Sequence, residues 1–279
     1  MMGGVYRGRS MFAIVRGVSL NQLTTSFISR LRAQDQAAWF ELWETFGPVL
    51  RVQLMKWGRG RVGPETVNDL SQETLAALSD CIDRYDPRKG ARFSTWLLAI
   101  AKHVLGDEMD RRNAQKRGGD KKTGELDESW MIAAKAAPVD EQYEAAVFHA
   151  KVEAALRMTE RLADFTDFSV YRMRVLDGKS GKDVAEALGM SEPTVSRRLA
   201  KVRDALRVRL AEVMSTYSFT PEEQAEASRN GLNLSPNKED EAMFDEAVAE
   251  IYHRSLELRR TATKGGSSGA RKGANPRRA

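Results

Sequence analysis

The stretch that most restricts how this chain can fold runs from Arg92 to Arg112, RFSTWLLAIAKHVLGDEMDRR. Phe93, Leu97, Ile100 and Val104 recur at steps of four, three and four. That spacing draws one apolar stripe along a helix, and the stripe must be buried against other elements. Ser94 stands where it can cap the first turn. Lys102, His103, Asp107, Asp110, Arg111 and Arg112 fall on the opposite side, and Gln115, Lys116 and Arg117 lead into a Gly118-Gly119 break. A packed helix that ends in cations offers fixed charge to a phosphate backbone. The same cations also complement a helix C-terminus and stay solvated. This stretch alone does not decide a function.

Elsewhere the chain repeats the helical period, while strand-like alternation is scarce and Pro and Gly sit between periodic segments. An all-α protein is expected. Hydrophobic residues at 42% and charged residues at 30% describe a soluble globular chain. The net charge of +5 is local: Lys264, Arg271, Lys272, Arg277 and Arg278 carry all of it, leaving residues 1–263 neutral. Contact with a polyanion must therefore come from clusters. Cys81 is the only cysteine, which excludes disulfides and thiolate zinc clusters and fits an intracellular setting. His103, His149 and His253 lie far apart, so no metal site is expected, and no catalytic triad or Walker or dinucleotide loop is present. A conventional active site and a cofactor are not expected. The apolar run from Met11 to Val15 is cut by Arg16, so neither a signal peptide nor a membrane span is expected, and the protein is placed in the cytoplasm.

Residues 24–57 read as two helices, broken at Gly47-Pro48, whose apolar face is Phe27, Ile28, Leu31, Trp39, Phe40, Leu42, Trp43 and Phe46. A further helix spans Thr66 to Tyr85, with Val67, Leu70, Leu75, Leu78 and Ile82 inward and Asn68, Asp69, Gln72 and Glu73 on its polar side. From Gly118 to Asp140 the hydrophobic period disappears, which marks a linker. Helices then cover Glu141 to Thr159 and Phe165 to Leu176.

Lys179 to Arg209 supplies the second signal. Val184, Ala185 and Leu188 share one face of a short helix. Gly189 can take the positive φ of a tight turn, and Ser191 can cap a second helix that tolerates Pro193 in its first turn. Val195, Leu199, Val202, Leu206 and Leu210 form its inward seam. Its outer face presents Thr194, Ser196, Arg197, Arg198, Lys201 and Arg203. Between Glu192 and Leu210 six Arg or Lys face two acids. A short helix, a glycine turn and a basic second helix match the helix-turn-helix, whose second helix enters the major groove. Farther on, Thr220-Pro221-Glu222-Glu223 is a helix start. Met243, Phe244, Ala247, Val248, Ile251 and Tyr252 form a stripe that docks on the chain's own modules or on a partner, the former favoured.

Together these segments resemble a known family. VNDLSQETLAALSDCIDRYDPRKGARFSTWLLAIAKHVLGDEMDRR resembles region two of bacterial RNA polymerase sigma factors, and GKSGKDVAEALGMSEPTVSRRLAKVRDALRVRL resembles region four. With only a linker between them, the layout is similar to the extracytoplasmic-function (ECF) group. The resemblance implies a non-catalytic protein that binds core RNA polymerase and promoter DNA. It implies polymerase binding by Asp69, Leu70, Gln72 and Glu73, whose acids meet a basic partner. It places Arg92, Trp96, Lys102, His103, Arg111 and Arg112 at the minus-ten element, with Trp96 as a buttress of the helix and His103 where many relatives carry Asn. Opening DNA there means holding an unstacked base in a pocket. Thr194, Ser196, Arg197, Arg198, Lys201 and Arg203 fall at the minus-thirty-five element, with Arg198 and Arg203 as phosphate clamps.

The expected organisation is an N-terminal extension (1–22), a region-two-like domain (23–115), a linker (116–140), a region-four-like domain (141–213), a helical C-terminal extension (214–263) and a basic tail (264–279). Extra domains in this group can replace a separate regulator. Control by an anti-sigma factor or by the extension itself are thus both open. A stand-alone helix-turn-helix regulator and a DNA-processing enzyme are the rival readings. The first would not need the acidic face around Asp69; the second lacks a nucleophile or a carboxylate metal cluster.

Overall fold

The computed structural model describes residues 20–86, 92–116, 141–218, 220–232 and 240–267. Expectations for residues 1–19, for the linker from 117 to 140, for the tail beyond 267 and for positions 87–91 lie outside the described residues. Every regular element among the described residues is helical. Helices α1 (Leu20–Arg32), α2 (Gln36–Gly58), α3 (Pro64–Cys81) and α4 (Phe93–Lys116) form the first module, with a 3-10 turn at Ile82–Arg84. The second contains α5 (Glu141–Leu162), α6 (Phe165–Tyr171) continued by a π turn at Arg172–Leu176, α7 (Gly181–Ala187) and α8 (Glu192–Tyr217). The short helices α9 (Pro221–Gln224) and α10 (Glu226–Arg229) and the long α11 (Glu241–Ser267) follow.

The apolar stripe of α4 is buried as its spacing requires: Phe93, Leu97 and Ile100 are fully enclosed. Ser94, however, does not cap. Its hydroxyl donates to the Glu144 carboxylate of α5 at 2.9 Å, because the start of α4 is covered by another helix rather than by water. Leu50, Leu54, Val62, Val67, Leu70, Ala101 and Leu105 close a cluster between α2, α3 and α4.

The break expected at Gly47-Pro48 is absent: α2 runs straight through both residues. An interior proline leaves the carbonyl four residues earlier without its N–H donor. Here that carbonyl belongs to Glu44, and Arg157 Nη2 of α5 donates to it at 3.0 Å. Gly47 is needed for a different reason, since a Cβ there would lie 2.9 Å from the Trp43 ring. The chain instead turns at Ala33–Asp35, where Gln34 takes φ 57° and the Asp35 side chain caps α2 by accepting from Ala37 N and Ala38 N.

The two modules, read from the sequence as separate, lie against one another on a continuous apolar core. It joins Phe27, Leu42, Phe46 and Phe93 of the first to Val147, Phe148, Leu210, Met214 and Tyr217 of the second and to Phe244 and Val248 of α11. Tyr217, at the end of α8, sits edge-on to Phe27 at 5.0 Å and to Phe46 at 5.4 Å. Such pairs add roughly 0.5–1.5 kcal/mol each beyond area burial. Thr24 Oγ1 donates to the Ser215 carbonyl at 2.8 Å across the same junction. The extension is self-docked, as favoured: Phe244, Val248 and Ile251 are buried. Met243, expected in that stripe, is 55% exposed and points away from it.

Candidate functional site

Three surfaces carry the candidate residues. On α3, Val67, Leu70, Thr74 and Leu78 face the core, which turns Asp69, Gln72 and Glu73 outward on successive turns. Neither Asp69 nor Glu73 pairs with a cation among the described residues. Two carboxylates one turn apart and unneutralised form a local negative patch suited to a basic partner. Leu70 is 1% exposed, so it anchors the helix and offers no surface.

On α4 the six candidates divide. Lys102 is exposed, and Arg111 is exposed while paired with Glu108. His103 Nε2 lies 3.4 Å from Asp107 one turn on. Trp96 is buried and stacked on Tyr85 at 4.9 Å, which makes it the expected buttress and removes it from any DNA surface. Arg112 is a structural tie: it meets Glu108 at 2.5 Å and donates to the Arg61 carbonyl at 2.8 Å and Thr66 Oγ1 at 3.0 Å. Arg92 is held by Glu144 at 3.0 Å.

The helix-turn-helix is built by α7 and α8 around Val170, Val184, Ala185 and Val195. Ser180 and Asp183 cap α7 reciprocally, Asp183 N donating to Ser180 Oγ at 3.1 Å and Ser180 N to Asp183 Oδ2 at 3.3 Å. Gly189 takes φ 62°, as the turn demands. Ser191 occupies the cap position of α8 without a side-chain bond to its backbone; its hydroxyl lies 2.9 Å from Thr194 Oγ1 instead. Ser196 and Arg197 are exposed on the first two turns of α8, and Thr194 is half-buried beside them. Arg197 folds back onto the Pro193 carbonyl and Thr194 Oγ1, each at 3.3 Å.

Arg198 and Lys201 converge on Asp167 of α6, which is 3% exposed; Lys201 Nζ is 2.6 Å away, and Arg198 is in direct contact. Burial alone would raise the Asp167 carboxyl, but hydrogen bonds from Lys201 and Arg198 outweigh it and hold it below the usual carboxylate range. Asp164 also lies 3.7 Å from Arg198, so two acids balance the two cations and hold them in place beside Arg197.

Arg203 is corrected most sharply. It is 6% exposed, with its guanidinium forked onto Asp245 at 3.0 and 2.6 Å and onto Glu241 at 2.6 Å. Both acids lie on α11, so Arg203 clamps the extension and not a phosphate. Arg207, 1% exposed, lies 4.8 Å over the Phe244 ring on the same side. Its Nε and Nη2 find no hydrogen-bond partner among the described residues.

Sequence reasoning missed Asp167, Glu144 and a buried Lys151–Glu223 pair at 3.7 Å. The pair meets where α5 and α9 adjoin the start of α4. Asp167 looked like an ordinary acid in a first helical turn, and Glu144 likewise. The one available hint was Lys151, a cation inside the apolar period of α5.

These surfaces define a protein whose described elements are all helical, with a helix-turn-helix, a second helical module and an outward acidic face on α3. Residues 65–212 match the ECF sigma factor family, and the chain belongs to that family. It is similar to the probable RNA polymerase sigma-C factor of Mycobacterium bovis and to the ECF RNA polymerase sigma factor SigC of Mycobacterium tuberculosis. Each is 31% identical over 143 residues, covering 50% of this chain and 68% of the relative. The chain is thus a sigma factor acting in transcription initiation, a role in which core RNA polymerase and promoter DNA are the partners. No described helix is long and apolar enough to cross a membrane.

Proposed function

We propose that the three surfaces divide the work of a sigma factor. Asp69, Gln72 and Glu73 dock on a basic face of core polymerase. Lys102 and Arg111 hold phosphates at the minus-ten element, beside His103 and, once it is released from Glu144, Arg92. Thr194, Ser196 and Arg197 read base edges at the minus-thirty-five element, because the first turns of a recognition helix are those that reach the groove floor. Arg198 and Lys201 flank them as positioned cations. The protein performs no bond-making chemistry of its own and works in the cytoplasm. The two modules are functional units, with residues 214–263 as an internal regulator in place of a separate anti-sigma factor.

The observation that carries this reading is the outward presentation of Ser196 and Arg197 while Asp167 fixes Arg198 and Lys201 behind them. Arg and Lys favour guanine edges, and a lost base contact costs about 1–3 kcal/mol at one position. Arg197→Ala is therefore expected to relax preference at a single promoter base in transcription from a randomised promoter library. Uniform weakening across all promoters would contradict the assignment of Arg197 to base reading.

A further inference from the structure

A groove of about 480 Å³ opens where α1, α2, α5 and α8 meet. That volume is in the range of clefts that enclose a ligand. Leu23, Phe40, Met158, Val213, Thr216 and Tyr217 line it, so its floor is largely apolar. Phe40, read from the sequence as part of the apolar face of α2, is 55% exposed rather than buried.

The rim is charged. Glu41, Glu44 and Glu212 stand there with Arg157 and Arg161, which leaves one acid in excess. Glu41 and Glu212 each meet a single cation among the described residues, Arg30 at 3.4 Å and Arg209 at 2.6 Å. A carboxylate offers about four acceptor sites, so both acids can take a further donor. Apolar surface rimmed by charge in this way fits an apolar segment flanked by cations.

The chain supplies such a segment. Residues 1–19 carry Arg7, Arg9 and Arg16 and no acid, and between them lies the apolar run Met11, Phe12, Ala13, Ile14 and Val15. The chain also enters α1 at the edge of the groove. Leu23, in the first turn of α1, is part of the lining, and Thr24 Oγ1 donates to the Ser215 carbonyl of α8 at 2.8 Å. Extended backbone from Leu20 reaches about 17 Å to Val15 and about 30 Å to Met11, enough to fold back across Leu23. Gly17 gives the backbone the freedom for that reversal. In an extended segment Phe12 and Ile14 share one side, and Arg16 follows two residues on.

We propose that the N-terminal segment docks in this groove. Phe12 and Ile14 pack on Phe40, Met158 and Tyr217, and Arg16 pairs with the acids of the rim. The groove is thus a binding site for the chain's own N-terminus, which covers the apolar surface of Phe40.

Two measurements on the full chain test this. Amide hydrogen exchange at residues 11–16 is expected to run at least about tenfold slower than in an unstructured chain. Phe12→Asp with Ile14→Asp, a change outside the packed core, should erase that protection. Proximity is read with a short bis-maleimide joining Ala13→Cys to Glu41→Cys on the rim, or to Val52→Cys as a control. Val52 is 49% exposed on the same helix but lies outside the groove. Cys81 is spared, because burial pushes its thiol up to about 11 and leaves little thiolate. The Glu41 pair is expected to link within one chain and the Val52 pair far less. Fast exchange at residues 11–16, protection that survives the double substitution, or equal linking of the two pairs would each overturn the inference. Links formed only between chains would overturn it too, by giving the groove to a second copy.

Discussion

Replacing Arg203 by alanine separates the two roles that a basic residue on α8 can have. In the structure its guanidinium makes three charge-assisted contacts to Asp245 and Glu241 with only 8% of the side chain exposed. Losing one partner of a fully buried pair costs roughly 3–5 kcal/mol. The partners here are less enclosed, Asp245 at 17% and Glu241 at 38%, so water recovers part of the loss. With charged hydrogen bonds contributing about 1.5–3 kcal/mol each and Glu241 discounted for screening, the expected cost is about 2–3 kcal/mol. For a chain of this size that is a fall in Tm of roughly 5–10 °C. Thermal unfolding of Arg203→Ala, Asp245→Ala and the double variant should reveal coupling of about 0.5–3 kcal/mol. The salt dependence of promoter binding should keep its slope, since no phosphate contact is removed. Unchanged stability with a slope smaller by about one unit would refute the clamp and restore Arg203 to the DNA.

Arg157→Ala should cost about 1–3 kcal/mol by leaving the Glu44 carbonyl without its donor. The penalty should shrink in a Pro48→Ala background, where the restored N–H bonds that carbonyl; equal losses in denaturant titrations of both backgrounds would contradict this. Glu226 faces Glu144 and Glu223 as well as Arg92 and Lys151, and burial raises its carboxyl, Lys151 and Arg92 opposing. A raised folded-state value gives stability that is full below the ordinary carboxylate range and is lost as pH rises through the folded value. Weakly acidic buffer should therefore stabilise the protein relative to neutral buffer, and Glu226→Gln should abolish that component while raising the neutral-pH urea midpoint. A variant with an unaltered pH profile would rule this out.

Local chemistry made much of the fold legible. The stripe of α4, the glycine turn at Gly189 and the outward Asp69 and Glu73 depend on residues within a few turns of one another, and the structure has each where its spacing put it. What the sequence concealed was long-range compensation. Gly47-Pro48 reads as a break because the residue that satisfies Glu44 lies on α5. Ser94 reads as a cap because its acceptor, Glu144, is fifty positions away. Arg203 reads as a phosphate contact because a helical face gives charge and direction but not the identity of the partner opposite. Trp96 and Leu70 sit inside motifs whose neighbours are exposed, so the motif outline swept in core residues. The meeting of the two modules had no local signature at all, since Tyr217 looks like the end of a helix until Phe27 and Phe46 are placed around it.

Binding of the purified protein to core RNA polymerase, with and without the acidic face, tests the central claim most directly. The protein is expected to form a low-salt complex that weakens as ionic strength rises, and Asp69→Lys with Glu73→Lys to abolish it while leaving the thermal transition in place, since both side chains are solvent-exposed. Retention of full polymerase affinity by that double variant would contradict the account.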